Sequence, residues 1–269
     1  LAISYEWIAT FAPMSKTVLV TGATSGFGEA IARIFAAAGD RVIITGRRTD
    51  RLTKLKNDLT KEGAEVFALT FDVRHENEVN VALANLSPSW KSIDILVNNA
   101  GLASGLHHIQ DGNTEDWDKM IDTNVKGLLY VSKAVIPGMV KRGRGHIVNI
   151  GSTAGKEVYE RGNVYCASKH AVDAITKGMR IDLLGKGIKV TQISPGAAET
   201  EFSLVRFHGD EDRAKNVYNG YQPMSAEDIA ELTYYSTSLP PHLCINDLVV
   251  TSTSQANSFY IKREEQSVE

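Results

Sequence analysis

From Thr17 onward the chain alternates short runs of β-branched and aliphatic residues with longer amphipathic stretches, and this alternation limits the fold more than any other feature. Thr17-Val-Leu-Val20 reads as a strand and is followed by a glycine-rich turn. In the next stretch, 29–38, Ile31, Ile34, Phe35 and Ala38 recur at i, i+3, i+4 and i+7, one face of a helix, and Gly39 is placed to stop it. The same grammar predicts strands over 42–45, 66–70, 93–97, 147–150 and 189–193. Helices are expected over 50–61 and 76–86, with one or two over 115–142 and a long one over 162–184. Strands that are apolar on both faces belong in a parallel sheet covered on both sides. Right-handed crossovers then make an α/β, doubly wound sheet with helices on both faces.

No repeat, low-complexity tract or linker interrupts 14–196, so 14–269 is expected to form a single Rossmann-type domain. Hydrophobic residues make up 43% of the 269 and charged residues 23%, which excludes a disordered chain. No run approaches the roughly 20 apolar residues of a membrane helix. Lys plus Arg number 29 against 32 Asp plus Glu, a net charge of −3 that argues against a nucleic-acid or anionic-membrane binder. Two cysteines, Cys166 and Cys244, make no disulfide framework and fit a reducing, cytoplasmic setting. His107 and His108 are adjacent and no His-Glu-x-x-His motif occurs, so no metal site is expected. Residues 1–13 lack Lys and Arg and make a poor targeting signal. They are expected to be a vector-derived extension or a disordered arm before Met14; Tyr5, Trp7 and Phe11 leave open an arm that docks on a neighbouring subunit.

The turn after the first strand carries the first chemistry. Gly22, Gly26 and Gly28, with Thr24, Ser25 and Phe27 between them, lie at a strand-to-helix junction, where bare backbone and a helix N-terminus can cradle a pyrophosphate. Alone, the same glycines would fit an ordinary turn. The second strand ends Ile44-Thr45-Gly46-Arg47-Arg48, with glycine where an NAD-selecting acid would stand. Arg47 and Arg48 suit a 2′-phosphate, so NADP(H) is the expected cofactor; the plain reading is two solvated arginines. Tyr165 and Lys169 are four apart and share a helix face, an arrangement that also occurs on ordinary surface helices. A Lys ammonium beside the phenol, joined by the positive charge of an oxidised nicotinamide, should lower its pKa toward working pH and make Tyr165 a general acid or base.

With these residues goes a wider set: Asp72-Val73, Asn98-Asn-Ala-Gly101, Asn124, Ser152, Tyr165-Cys-Ala-Ser-Lys169, and Pro195-Gly196 with Thr200. Together they resemble the short-chain dehydrogenase/reductase family over essentially the whole chain after Met14. The resemblance implies a cofactor lined by Asp72, Val73, Asn99, Ala100, Gly101, Pro195, Gly196 and Thr200, in addition to the glycine turn. It implies that Ser152 hydrogen-bonds the substrate oxygen, Lys169 binds the nicotinamide ribose, and Asn124 holds a relay water. A homodimer or homotetramer built on 124–142 and 164–184 is implied as well.

Residues 101–103, 151–155, 162–165 and 199–210 resemble the branch of NADP-dependent 3-hydroxy acid dehydrogenases, serine 3-dehydrogenases among them. That implies substrates such as serine, allo-threonine and 3-hydroxypropionate. A carboxylate substrate calls for a fixed cation, and Arg206 and then Arg161 are the candidates. Either could instead form a surface pair with Glu199, Glu201 or Asp210. The polar stretch 197–224 is expected to form a mobile lid, followed by a helix capped at Ser225 with Asp228 three residues on. Two other functions stay open: a general carbonyl or 3-oxoacyl-thioester reductase, and a non-catalytic NADPH-binding sensor.

Overall fold

β1 (Thr17–Val20) is buried at every position, its Val18-Leu-Val20 run calling for cover on both sides, and it lies near the middle of a seven-stranded parallel sheet. The computed structural model describes residues 15–264; the extension expected over 1–13 lies outside them. The other strands are β2 (Arg41–Gly46), β3 (Val66–Thr70), β4 (Ile95–Asn98), β5 (Gly145–Ile150), β6 (Ile188–Pro195) and β7 (Asp247–Val250). Their order is β3-β2-β1-β4-β5-β6-β7, so the chain winds one way from β1, returns, and winds the other way from β4. A crevice opens where the order reverses, above the carboxyl ends of β1 and β4. In-register pairing of Val18 with Ile95 and Val20 with Val97 brings those two ends level.

The nine labelled helices are α1 (Gly26–Ala37), α2 (Thr49–Lys61), α3 (Glu76–Ala84), α4 (Thr114–Ile121), α5 (Leu128–Arg142), α6 (Asn163–Asp182), α7 (Phe202–Arg206), α8 (Glu211–Asn216) and α9 (Ala226–Ser238). Strand alternation sorts the core. Val18 and Val20 pack with Ile31 and Phe35 of α1, Leu52 of α2 and Ile229 of α9 on one face. Leu19 packs with Val79 of α3 and Val131, Val135 and Met139 of α5 on the other. Each such side chain contributes about 1.5–3 kcal/mol by leaving water, and the sheet is thereby held as a rigid platform for the loops above it.

The structure corrects one element boundary and adds detail in three other places. α1 begins at Gly26 rather than 29, so the last glycines of the turn are the helix's own first residues. The 115–142 region is one rod in three pieces, with a π-helical segment, Asp122–Gly127, between α4 and α5. The lid region carries two short helices, α7 and α8. β7 escaped the sequence reading because a four-residue edge strand has little pattern to show; its exposure alternates along the strand. The capping box at Ser225 and Asp228 is present. Among the described residues no helix is long and apolar enough to cross a membrane, and no group of three His, Cys, Asp or Glu could hold a metal ion.

Candidate active site

The crevice is a cavity of about 500 Å³, walled by the loops that follow β1 to β6. Of the candidate cofactor, catalytic and substrate residues named from the sequence, all but Gly28, Asn124 and Arg161 line it.

The glycine turn forms one wall. Gly22 has φ +67°, and a Cβ there would lie 2.9 Å from Ala100 Cα. Gly28 packs behind the wall, where a Cβ would come within 2.3 Å of the Gly22 carbonyl oxygen. The loop is pinned across the sheet by Asn99, whose Nδ2 donates to the Thr21 and Gly22 carbonyls at 2.9 and 3.2 Å. Bare backbone at the N-terminus of a twelve-residue helix is a fit cradle for a dinucleotide's pyrophosphate.

Beside it lie the arginines. Arg48 donates from Nε and Nη2 to Thr24 Oγ1 at 3.1 and 2.8 Å, and from Nη2 to Ser25 Oγ at 2.8 Å. Its planar guanidinium is thus fastened to the glycine turn. A Cβ on Gly46 would sit 2.7 Å from Thr24 Cγ2, so an acid at that position would drive Thr24 out of its place. Arg47 is more exposed and approaches Asp72 at 3.7 Å. Asp72 is gripped by Arg74 through two hydrogen bonds of 2.9 and 2.6 Å. Burial alone would raise the Asp72 pKa, but those bonds outweigh it and hold the carboxyl below the usual range. Arg74 and Arg51 were not singled out in the sequence, and Glu201 was weighed only as a surface partner for Arg206 or Arg161; Arg51 and Glu201 meet across 150 residues of chain, a pairing no local pattern reveals.

The opposite wall carries the proton-bearing groups. Ser152 follows β5 and caps a 3-10 turn, Thr153–Gly155, where a Cβ on Gly155 would lie 2.7 Å from the Lys169 carbonyl oxygen. That close approach seats the serine loop on α6. Tyr165 and Lys169 stand one turn apart on α6, both buried. Burial raises the Tyr165 pKa first of all, with the Ser152 hydroxyl and the Arg206 guanidinium opposing it. Lys169 donates instead to the Ile150 carbonyl at 2.9 Å, its Nζ is 6.0 Å from the Tyr165 ring centre, and burial lowers its pKa to about 8. Among this chain's own groups desolvation dominates at Tyr165 and Lys169 is not one of those that lower the phenol, so the expected lowering falls to the positive charge of an oxidised nicotinamide.

Asn124 sits in the π-helical segment, behind the cavity wall. Its Oδ1 accepts from Leu102 N at 2.8 Å, while Nδ2 donates to Leu102 O at 2.8 Å and to Ser168 Oγ at 2.9 Å. Ser168 in turn donates to the Tyr165 carbonyl. The side chain thus ties the loop after β4 to the catalytic face of α6, and the π turn is what aims it there. A Cβ on Gly101 would fall 3.2 Å from Asn124 Oδ1 and 3.6 Å from Lys169 Nζ.

The roof comes from α7. Phe202 meets Tyr165 edge to face at 5.6 Å, and Arg206 lies 5.4 Å from the same ring centre. Arg206 Nη2 donates to Tyr159 Oη at 2.6 Å, and its Nε is buried without a protein partner. Arg206 pairs with none of Glu199, Glu201 and Asp210; an arginine with a spare donor in this wall can grip an anion. Tyr159 is a residue the sequence reading missed, although Gly162 hinted at it: a Cβ there would lie 2.2 Å from Tyr159 Cε2. Arg161 is corrected. Its left-handed backbone (φ +64°) turns a half-exposed side chain toward His108 and Glu160, at a small neighbouring pocket rather than in the cavity.

Comparison with known proteins agrees with this geometry. A family profile described as short chain dehydrogenase matches residues 16–209. An NADP-dependent 3-hydroxy acid dehydrogenase of Salmonella typhi is 48% identical over 240 residues, 89% of this chain and 96% of the relative. Sulfoacetaldehyde reductase 2 of Chromohalobacter salexigens is 46% identical over 253 residues, 93% of this chain and all of the relative. The closed form of a serine dehydrogenase complexed with NADP+ superimposes with a TM-score of 0.88 at 46% identity, covering 92% of this chain and all of that one.

Proposed function

The chain belongs to the short-chain dehydrogenase family, and on that premise we propose that it is an oxidoreductase moving hydride between NADP(H) and a short 3-hydroxy acid or its 3-oxo partner. The observation that carries the substrate class is Arg206: a guanidinium with a free, buried Nε shares a wall with the Tyr165 phenol and the Ser152 hydroxyl. An acid whose hydroxyl lies two carbons from its carboxylate can place one end on Arg206 and the other against Tyr165.

Bound along the glycine turn, NADP(H) supplies or takes up the hydride at its nicotinamide ring. The chain's own residues do the rest. Tyr165 gives its proton to the carbonyl oxygen in reduction and takes it back in oxidation. Ser152 donates a hydrogen bond to the same oxygen as charge develops on it. Lys169, held on the Ile150 carbonyl, places an ammonium at the floor of the cavity for the nicotinamide ribose. Asn124 positions α6 through Ser168, and the role proposed for it beyond that is to hold a water that relays protons between Lys169 and solvent. Arg47 and Arg48, with Gly46 leaving room for Thr24, select the 2′-phosphate. Residues 197–224 act as the lid, with α7 as the part that touches substrate.

The enzyme is proposed to work in the cytoplasm as a homodimer or homotetramer. Exposed Leu129 and Val140 on α5, Ile181 in the last turn of α6 and Leu184 just after it support an interface there.

A panel assay tests the reading: NADP+ or NAD+ with serine, 3-hydroxypropionate and 3-hydroxybutyrate, and NADPH with sulfoacetaldehyde, aromatic diketones and acyl thioesters. Sulfoacetaldehyde is included because a sulfonate offers Arg206 the same single charge as a carboxylate. The short anions should be turned over with the phosphorylated cofactor far faster than with the other. Preferred turnover of diketones or thioesters would assign the site to a general carbonyl or thioester reductase.

A further inference from the structure

Glu201 stands immediately before α7, and its carboxylate reaches across to the cofactor side of the cavity. Arg51 Nη1 donates to both of its oxygens, at 2.6 and 2.8 Å, and Arg48 Nη1 donates to one of them at 3.1 Å. Partial burial works to raise the Glu201 pKa, but the hydrogen bonds from Arg51 and Arg48 outweigh it and keep the carboxyl ionised below the usual range. The guanidinium that Thr24 and Ser25 fasten to the glycine turn therefore already carries an anion. That anion belongs to the roof of the substrate cavity, five residues before Arg206.

We propose that Glu201 is a built-in competitor for the cofactor's 2′-phosphate, its carboxylate drawing on the same pair, Arg48 and Arg51, so that it sets how tightly NADP(H) is held. This rests on the NADP(H) reading given above. Arg48 and Arg51, drawn together on one carboxylate, would repel one another without that counter-charge, and Glu201 relieves the repulsion. A phosphate of charge about −1.5 to −2 seeks the same guanidiniums. Brought near a carboxylate, it is repelled by it, and only part of the cationic field is left to hold it. Because the carboxylate and the Arg51 side chain are both about two-fifths exposed, at 40% and 42%, the competition is soft and can yield. Arg51 thereby becomes a third specificity residue beside Arg47 and Arg48.

The test uses two fragments that differ by the 2′-phosphate alone, 2′,5′-ADP and 5′-AMP, whose binding to the full chain is measured by calorimetry. Glu201→Gln keeps the shape and removes the charge. It should tighten 2′,5′-ADP by about fivefold and leave 5′-AMP within about twofold, with the gain shrinking as salt is raised. Unchanged or weaker binding of 2′,5′-ADP overturns the proposal. A second variant guards the result. Arg51→Gln should weaken 2′,5′-ADP, because Glu201 then falls wholly on Arg48, and adding Glu201→Gln should restore much of the loss. A double variant no better than Arg51→Gln alone makes Arg51 a plain phosphate ligand and sinks the competition. If the parent protein binds both fragments equally, the NADP(H) reading itself fails, a result distinct from either of the others.

Discussion

Lys169 holds its ammonium almost wholly out of water, with a carbonyl oxygen as its hydrogen-bond partner, and burial brings its pKa down from 10.5 to about 8. Between those two values the unfolded chain binds a proton that the folded chain does not, so stability rises with pH across that window. At pH 7 the folded protein bears the cost of a buried charge. Lys169→Met should therefore unfold later in urea at pH 7, by about 1–2 kcal/mol. The advantage should fade as pH climbs past 8 and vanish near 10.5, while turnover is lost throughout. A variant less stable than the parent at pH 7 would show that the Ile150 bond outweighs desolvation. The Tyr165 and Lys169 pair was legible because a spacing of four is a local fact. Its electrostatics were not: sequence puts a cation beside a phenol, and only the fold reveals that Lys169 turns to Ile150. Tyr159 and the pairing of Glu201 with Arg51 stayed hidden for the same reason, since Tyr159 and Glu201 each acquire their partner, Arg206 or Arg51, from a distant segment.

At the scale of elements, β2 and the glycine turn are matched pieces. Gly46 is commonly read as a missing acid, but its neighbour explains it better: Thr24 fills the space a side chain would need and passes that position on to Arg48. Gly46→Asp should consequently fail to make an NAD enzyme. We expect it to cost about 1–3 kcal/mol by crowding Thr24 and to weaken NADPH binding at least tenfold, with NADH binding no better than in the parent. Fluorescence titration of both cofactors checks this, and a gain in NADH affinity would contradict it. Boundaries were the least legible feature of the elements. The start of α1 lies inside a glycine-rich turn that favours no helix, and the π-helical segment looks like plain helix in sequence because only its hydrogen-bond register is altered. α7 is five residues long, too short to display a period.

For the molecule as a whole, alternation of buried strands and amphipathic helices determined the layered plan, and the reversal of strand order placed the crevice. The layered plan was readable because it depends on a pattern repeated along the chain, whereas the strand order comes from the fold. The small net charge of −3 was informative mainly in what it averaged away. Arg48 and Arg51 gather on the cofactor side with Glu201 between them, while Arg206 stands at the substrate end, so two anion-seeking sites share one cavity roofed by one short helix. The account stands on the claim that the second of these sites recognises a carboxylate while Tyr165 serves the hydroxyl. The most direct test compares kcat/KM for 3-hydroxypropionate and for its uncharged methyl ester, with NADP+ saturating. A charge-assisted, buried bond to Arg206 predicts that the acid is preferred by at least about tenfold. An ester oxidised as well as the acid would contradict it.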